Sequence, residues 1–338
     1  MQTAAIILAA GAGTRMKSKR PKVAHEMLGK PLLNWVVDAA NEADIDKIVT
    51  VVGHMREQVE PLVAGQTQIA VQEQQRGTAD AVLACREALE GFEGSLLVLS
   101  GDCPLITAAT MQALIDLRER ENAAVIVLTM RPDNPFGYGR IIRDADGQVE
   151  RIVEQKDATP EEAAVNECNS GFYCFDAAAL FEALDQVESN NAQGEFYLTD
   201  VVEISRRAGR PVLALPAADD SECLGINSRI QLAQATKIAQ RRINEAHMAS
   251  GVTMLDPDQV WIGPGVTISS DVELLPQVFL FGDTVIGEDS VIGPNCRLTN
   301  TVVGCGCLVD ETIADGAHID DGASCGPRCY LHPGAHLE

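Results

Sequence analysis

The sequence is short of positive charge: 26 Lys and Arg stand against 49 Asp and Glu, a formal net charge of −23. That balance argues against nucleic-acid or anionic-membrane binding, since both need a broad basic face. Aromatic residues are scarce at 4%, and no apolar run approaches the ~20 residues needed to cross a bilayer. The N-terminal apolar run has no basic flank and no cleavage site, so the expectation is a cytoplasmic protein without a leader. The ten cysteines, in that setting, read as reduced thiols and not as a disulfide framework. Cys305 with Cys307, and Cys325 with Cys329, have zinc-like spacing, but both pairs fall where a repeat calls for small residues anyway.

Against this acidic background one stretch stands out. Ala4 to Leu8 is a short apolar run with β-branched residues, as a buried parallel strand would be. Gly11 and Gly13 follow, letting the backbone turn and bring successive N–H groups to an anion. Arg15, Lys17, Lys19, Arg20 and Lys22 then place five cations in eight residues. Such a reversal of sign points to an anionic ligand such as a phosphate. The spacing matches neither the dinucleotide-binding nor the P-loop fingerprint, and a tight turn before a solvated basic loop would look similar.

Downstream, strand and helix patterns alternate. Leu32 to Ala40 has helical spacing after Pro31, Ile48 to Val52 reads as a strand ended by Gly53, and Ile69 to Val71 as another. Thr78 is a candidate N-cap for an alanine-rich helix running to Leu89. The order predicts an α/β domain with a mostly parallel sheet and crossover helices. Leu96–Leu99 leads into Ser100-Gly101-Asp102, an acidic residue where open α/β sheets bind ligands and where Mg²⁺ would find a carboxylate. Gly137-Tyr138-Gly139-Arg140 is a turn whose bare backbone can approach a ligand, and Glu154 and Asn169 beyond it suit recognition of sugar hydroxyls, although surface turns explain them almost as well. A helix of about twenty residues, ending near Ser250, reads as a connecting rod.

From Ile262 the pattern changes. Ile262, Ile268, Leu274, Leu280, Ile286, Ile292 and Leu298 recur every six residues, with Val266, Val272, Val278, Thr284, Ser290, Cys296 and Val302 four residues behind each. This is a parallel β-helix signature. The register slips near Gly304 and resumes at Ile313, Ile319, Cys325 and Leu331. A solenoid ending at Glu338 leaves a coil for another subunit or a longer chain to cover.

Several motifs in order carry a resemblance: L-x-x-G-x-G-T-R-M-x-x-x-x-P-K from Leu8, Q-x-x-x-x-G-T from Gln72, G-D-x-P-L from Gly101, G-Y-G-R-I from Gly137, N-A-Q-G-E-F-Y-L-T-D from Asn191, then the hexapeptide repeat. Together they resemble the bacterial bifunctional N-acetylglucosamine-1-phosphate uridylyltransferase/glucosamine-1-phosphate N-acetyltransferase family, covering its first half nearly completely and the start of its second. The resemblance implies a Rossmann-like uridylyltransferase domain over 1–227, a linker helix over 228–250 and a left-handed β-helix over 251–338. It implies Mg²⁺-dependent transfer of UMP from UTP to N-acetylglucosamine 1-phosphate. The products would be UDP-N-acetylglucosamine, for peptidoglycan and lipopolysaccharide precursors, and pyrophosphate.

Carried over residue by residue, the resemblance assigns Arg15 and Lys22 to the triphosphate, and Leu8, Ala10, Gly11, Gln72, Gly77 and Thr78 to the nucleotide. It assigns Asp102 and Asn227 to the metal, and Gly139, Glu154, Asn169 and Tyr197 to the sugar. It also implies a homotrimer through the β-helix. Ser100 replaces a tyrosine of the family, Ala79-Asp80 a glycine-led pair, and His332 a phosphate-binding arginine. With the later residues of the second site beyond Glu338, no acetyltransferase activity is expected of this chain. A related transferase with another sugar or nucleotide, or a non-catalytic sugar-nucleotide sensor, remain the rival readings.

Overall fold

In the computed structural model, which describes residues 2–338, Gln2–Leu8 forms strand β1. Its residues Ala4 to Ile7 are fully buried and alternate between two cores. Ala5 and Ile7 share one with Leu33 and Val36, whereas Ala4 and Ile6 share the other with Val82 and Leu180. A strand covered on both faces must be apolar at every position, hence a continuous run in place of alternation.

The remaining strands of this sheet are β2 (Lys47–Val52), β3 (Gln68–Val71), β4 (Gly94–Ser100), β5 (Val125–Met130), β6 (Arg140–Arg143), β7 (Val149–Val153), β8 (Cys168–Asp176) and β9 (Val212–Pro216). Helices α1 (Leu32–Glu42), α2 (Thr78–Leu83), α3 (Ala108–Glu121), α4 (Ala177–Leu184) and α5 (Asp200–Arg207) accompany them. The sheet order is β9-β5-β8-β4-β1-β2-β3, with β6 paired to β8 and β7. Pairing is parallel from β4 through β1 and β2 to β3, and between β9 and β5. Strand β8 runs antiparallel to β4, β5 and β6. It is preceded by the antiparallel hairpin β6–β7 and a single helical turn, Pro160–Ala163, in place of a full crossover helix, and it enters the sheet in the opposite sense. The chain leaves β1 for β2 on one side and reaches β4 on the other. Leu8 and Ser100, partners in register, therefore end at the switch point, outside which open α/β sheets bind ligands.

The chain divides into two compact units: the segment up to His25 with Pro31–Gln231, and Glu26–Lys30 with Leu232–Glu338. The second unit holds three parallel sheets of five short strands each, the arrangement of a left-handed β-helix. The inward series from Ile262 to Leu298 is buried as the repeat predicts. Polar members are satisfied within the coil: Thr284 Oγ1 donates to the Phe281 carbonyl at 2.7 Å and Ser290 Oγ to that of Gly304 at 2.9 Å.

Two sequence assignments fail at the slip. Val302 is 37% exposed while Thr301 and Val303 are buried, and Ile313 yields its inward place to Thr312 and Ala314. The cause is a shortening of successive coils. Val291 pairs with Leu308 and Leu308 with Ser324, one and two residues short of the spacing from Glu273 to Val291. In a strand a shift of one residue turns each side chain to the opposite face.

The ten cysteines are free, and among the described residues no group of three or more metal-ligating side chains includes one. Cys307 Sγ instead donates to the Asp320 carbonyl at 3.0 Å. Helix α6 (Arg229–Ala249) belongs to the solenoid unit from Leu232 onward. Its buried Gln240 and Asn244 donate side-chain N–H bonds to the Val260 carbonyl at 2.6 and 2.9 Å. Among the described residues no helix is long and apolar enough to cross a membrane.

Leu280 is fully buried in the solenoid core. Leu280→Ala is expected to cost about 2–5 kcal/mol through lost transfer energy and the cavity left behind. Denaturant unfolding followed through the solenoid checks this, and a loss below about 1 kcal/mol would contradict the packing described.

Candidate active site

A cleft of about 300 Å³ opens at the switch point. Of the residues assigned from the sequence, Leu8, Ala10, Gly11, Lys22, Gln72, Gly77, Thr78 and Asp102 all line it. Arg15, Gly139, Glu154, Asn169, Tyr197 and Asn227 are not in the lining.

The glycine loop does two different things. Gly13 has φ +57, and a Cβ there would lie 2.6 Å from the Lys22 Cβ, so the absent side chain lets the loop fold over the Lys22 stem. Gly11 has no described atom within 4 Å of its Cβ position. Its bare backbone faces the open cleft. Arg15 lies exposed on a single turn, Thr14–Met16, in the same loop.

Gln72 is buried, and its amide donates to the Gly77 carbonyl at 3.0 Å and to Asp80 Oδ2 at 2.9 Å. Arg76 Nη2 holds the other Asp80 oxygen at 2.6 Å. Asp80 thus fixes Gln72 in place. Gly77 has φ +124, and a Cβ would fall 2.3 Å from the Phe196 carbonyl oxygen. Three bonds hold this loop to the segment 196–198: Phe196 N–H to Arg76 O at 2.8 Å, Ala79 N–H to Phe196 O at 2.9 Å, and Leu198 N–H to Thr78 Oγ1 at 2.9 Å. Thr78 therefore does not cap α2. Gly77 is the residue before the helix, which ends at Leu83 and not Leu89, and the Thr78 hydroxyl is committed to Leu198.

Lys22 and Asp102 form the charged end of the cleft, and Asn227, outside the lining, bonds to Lys22. The Lys22 ammonium donates to Asp102 Oδ2 in a short ion pair and to Asn227 Oδ1 at 3.0 Å. The ion pair is 16% and 15% exposed, sheltered enough for its attraction to exceed that of a surface pair. The Ile226 N–H to Asp102 O bond of 2.9 Å ties the two segments together. The Asn227 N–H bond to Gln231 Oε1, also 2.9 Å, fixes the asparagine. A Cβ on Gly225 would lie 3.5 Å from Asn227 Nδ2 and 4.0 Å from Asp102 Oδ2. One carboxylate oxygen and one carboxamide oxygen thus face one cationic point. That donor set suits Mg²⁺, which takes a few protein oxygens and completes its shell with water and phosphate.

The four sugar-assigned residues gather nearby in the fold. A Cβ on Gly139 would lie 3.5 Å from both Asn169 Cβ and Glu154 Oε1. Asn169 Nδ2 donates to the Tyr173 hydroxyl at 2.7 Å, and its Oδ1 accepts the Gly171 N–H at 3.0 Å. Burial, above all, pushes the Glu154 carboxyl up, with the Thr199 hydroxyl opposing and Asp157, Asp200 and Glu195 adding. The buried Tyr197 hydroxyl accepts from Gln193 at 2.7 Å, leaving its own proton to donate. Gly171 bridges toward the cleft, since a Cβ there would stand 3.4 Å from Ser100 Oγ.

Gln75, Ser100 and Glu195 also line the cleft without having been assigned a role. Glu195 lies inside the motif from Asn191, Gln75 at an unspecified position of the motif from Gln72, and Ser100 directly before the motif from Gly101. A larger depression of about 700 Å³, bordered by Glu188, Asp200, Glu203 and Arg207, contains none of the assigned residues.

The nucleotidyl transferase family model matches residues 4–222. The bifunctional protein GlmU of Lactobacillus johnsonii is 50% identical, over 98% of this chain and 73% of its own length. The chain belongs to the GlmU family. GlmU of Nocardia farcinica is 49% identical over 99% of this chain and 70% of its own, and that of Enterococcus faecalis 46% over 98% and 73%. A solved structure of a UDP-glucose pyrophosphorylase complexed with UDP-glucose overlays with a TM-score of 0.56, covering 72% of this chain and all of that one. At 20% identity it speaks for the fold alone. Nucleotidyl transferases of the GlmU family take nucleotide and sugar phosphate substrates and use a divalent metal.

Two outcomes test this description. Gly77→Ala is expected to lose about 1–3 kcal/mol of stability through strain at its positive φ and the clash with Phe196, measured by chemical denaturation. Asp200 is pushed up to about 6 by burial first, then by Glu203 and Asp157. Its proton is held more tightly folded than unfolded, so stability falls as pH rises from about 4 to about 6. The stability of wild type minus that of Asp200→Asn should therefore decrease across that window. A difference that stays flat would show that Asp200 ionises like a free carboxyl, and one that rises would show its pKa lowered by folding; either contradicts the burial described.

Proposed function

We infer that the chain transfers UMP from UTP to N-acetylglucosamine 1-phosphate, giving UDP-N-acetylglucosamine and pyrophosphate for cell-wall precursor synthesis. The observation that carries the reading is the Lys22 ammonium held between Asp102 and Asn227 at the end of a cleft built from the glycine loop. Membership of the GlmU family supplies the reaction.

The uracil lies against Ala10, Gly11, Gln72 and Gly77, with Leu8 and Thr78 beside the nucleotide. The sugar lies by Gly139, Glu154, Asn169 and Tyr197, where a carboxylate, a carboxamide and a phenol offer complementary bonds to hydroxyls and an acetamido group. An oxygen of the sugar phosphate attacks the α-phosphorus in line, and the bond from that phosphorus to the pyrophosphate oxygen breaks. No covalent intermediate is required, so positioning and charge neutralisation account for catalysis. Lys22 and Arg15 balance the negative charge that grows on the departing pyrophosphate. Asp102 and Asn227 are the residues that would hold Mg²⁺, whose charge would offset that of the phosphate oxygens. The chain works in the cytoplasm as a homotrimer assembled through the β-helix, and light scattering returning a monomer would overturn the trimer.

Asp102→Ala is expected to lower Mg²⁺-dependent pyrophosphate release about 100-fold or more, the several kcal/mol that a catalytic cation supplies. Undiminished turnover would remove Asp102 from the metal. A screen of nucleoside triphosphates against sugar 1-phosphates should favour UTP with N-acetylglucosamine 1-phosphate. A preference for dTTP or GTP would reassign the substrate, and no turnover with any pair would leave a sensor.

A further inference from the structure

The outer face of one solenoid sheet carries a cluster that the uridylyl transfer does not use. Strands His318–Ile319 and His336–Leu337 pair in parallel with His318 directly opposite His336. Asp320 follows the first strand by one residue. Its Oδ1 lies 3.1 Å from His318 Nε2 and 2.8 Å from His336 Nε2. The three ligand atoms all fall within 4.8 Å of one another, and the imidazoles meet edge to face with centroids 5.1 Å apart.

We propose that His318, Asp320 and His336 form a binding site for a divalent transition-metal ion that clips two successive coils of the solenoid together. Two imidazoles and one carboxylate are the donors that Zn²⁺ and its neighbours prefer, in contrast to the oxygen-only pair that suits Mg²⁺. Tetrahedral ligation at Zn–N distances of about 2.0–2.1 Å puts neighbouring ligand atoms roughly 3.3 Å apart. The separations of 2.8 and 3.1 Å need only a small outward rotation to accept an ion in place of the shared hydrogen bonds.

The backbone beneath is rigid. His318 N–H bonds to the Ala335 carbonyl at 2.9 Å and Asp320 N–H to that of Leu337 at 2.8 Å, so both histidine-bearing strands are fixed before an ion arrives. The imidazoles are 51% and 55% exposed and the carboxylate 39%. Entry is open, and at least one coordination position remains for water or an external donor. The site stands on this sheet alone and does not depend on the catalytic assignment.

The test uses the full chain, stripped with chelator and held in excess Mg²⁺ so that an oxygen-donor metal site is already filled, then titrated calorimetrically with Zn²⁺. The wild type should bind one equivalent that His318→Gln and His336→Gln each lose. Hydrogen exchange at the His318 and Asp320 amides should slow with Zn²⁺ in the wild type only. Equal Zn²⁺ uptake by wild type and both variants, or none by the wild type, overturns the proposal. Unchanged circular dichroism and pyrophosphate release by the variants show that the substitutions have not disturbed the fold.

Discussion

The catalytic reading rests on one electrostatic arrangement, an ammonium held by two oxygens from opposite parts of the chain. Lys22 comes from the loop after β1, Asp102 from the end of β4, and Asn227 from the segment leading into α6. Each would be costly alone: a sheltered carboxylate without a cation, or a cation without an anion, loses hydration that nothing restores. Together they satisfy one another at the carboxyl edge of the sheet, with the ammonium shared by both oxygens. The loop glycines follow from this constraint, since Gly13 must lack a side chain for the Lys22 stem to pass beneath it.

The rest of the cleft is organised by backbone closure. The loop from Gln72 to Thr78 is bonded to the segment 196–198 through main-chain groups and one hydroxyl. A positive φ and a 2.3 Å approach at Gly77 show how tightly the two are joined. Asp80 contributes by pinning both Gln72 and Arg76. The sugar-assigned group hangs on the hairpin β6–β7 and on β8, the strand that breaks the parallel order. The antiparallel excursion thereby brings Gly139, Glu154 and Asn169 to one place.

The solenoid obeys a separate rule, in which alternate residues of the short strands point inward and the polar ones among the buried residues are satisfied within the coil. Cys296, Cys307 and Cys325 fill buried positions without forming a metal group, while the histidine pair arises on outward positions of the same solenoid. The coil that stacks small residues inside stacks matching residues outside, which is how His318 and His336 come to face each other eighteen positions apart in number.

The sequence alone determined the element types, because buried parallel strands must be apolar throughout and a six-residue apolar period has one simple packing. It also delivered the glycine loop, the acid after β4 and the order of the motifs, since each is local. It could not decide the inward register past Gly304, where shortened coils turn Val302 and Ile313 away from the core, because coil length is set by pairing between strands. Nor could it decide the role of Thr78, whose hydroxyl goes to Leu198 N–H 120 residues away. The resemblance had placed Asp102 and Asn227 on one ion, but the Lys22 ammonium between them, and the meeting of two histidines with Asp320, belonged to the tertiary structure alone. Side-chain convergence across distant segments depends on strand order and register, and no local pattern encodes either.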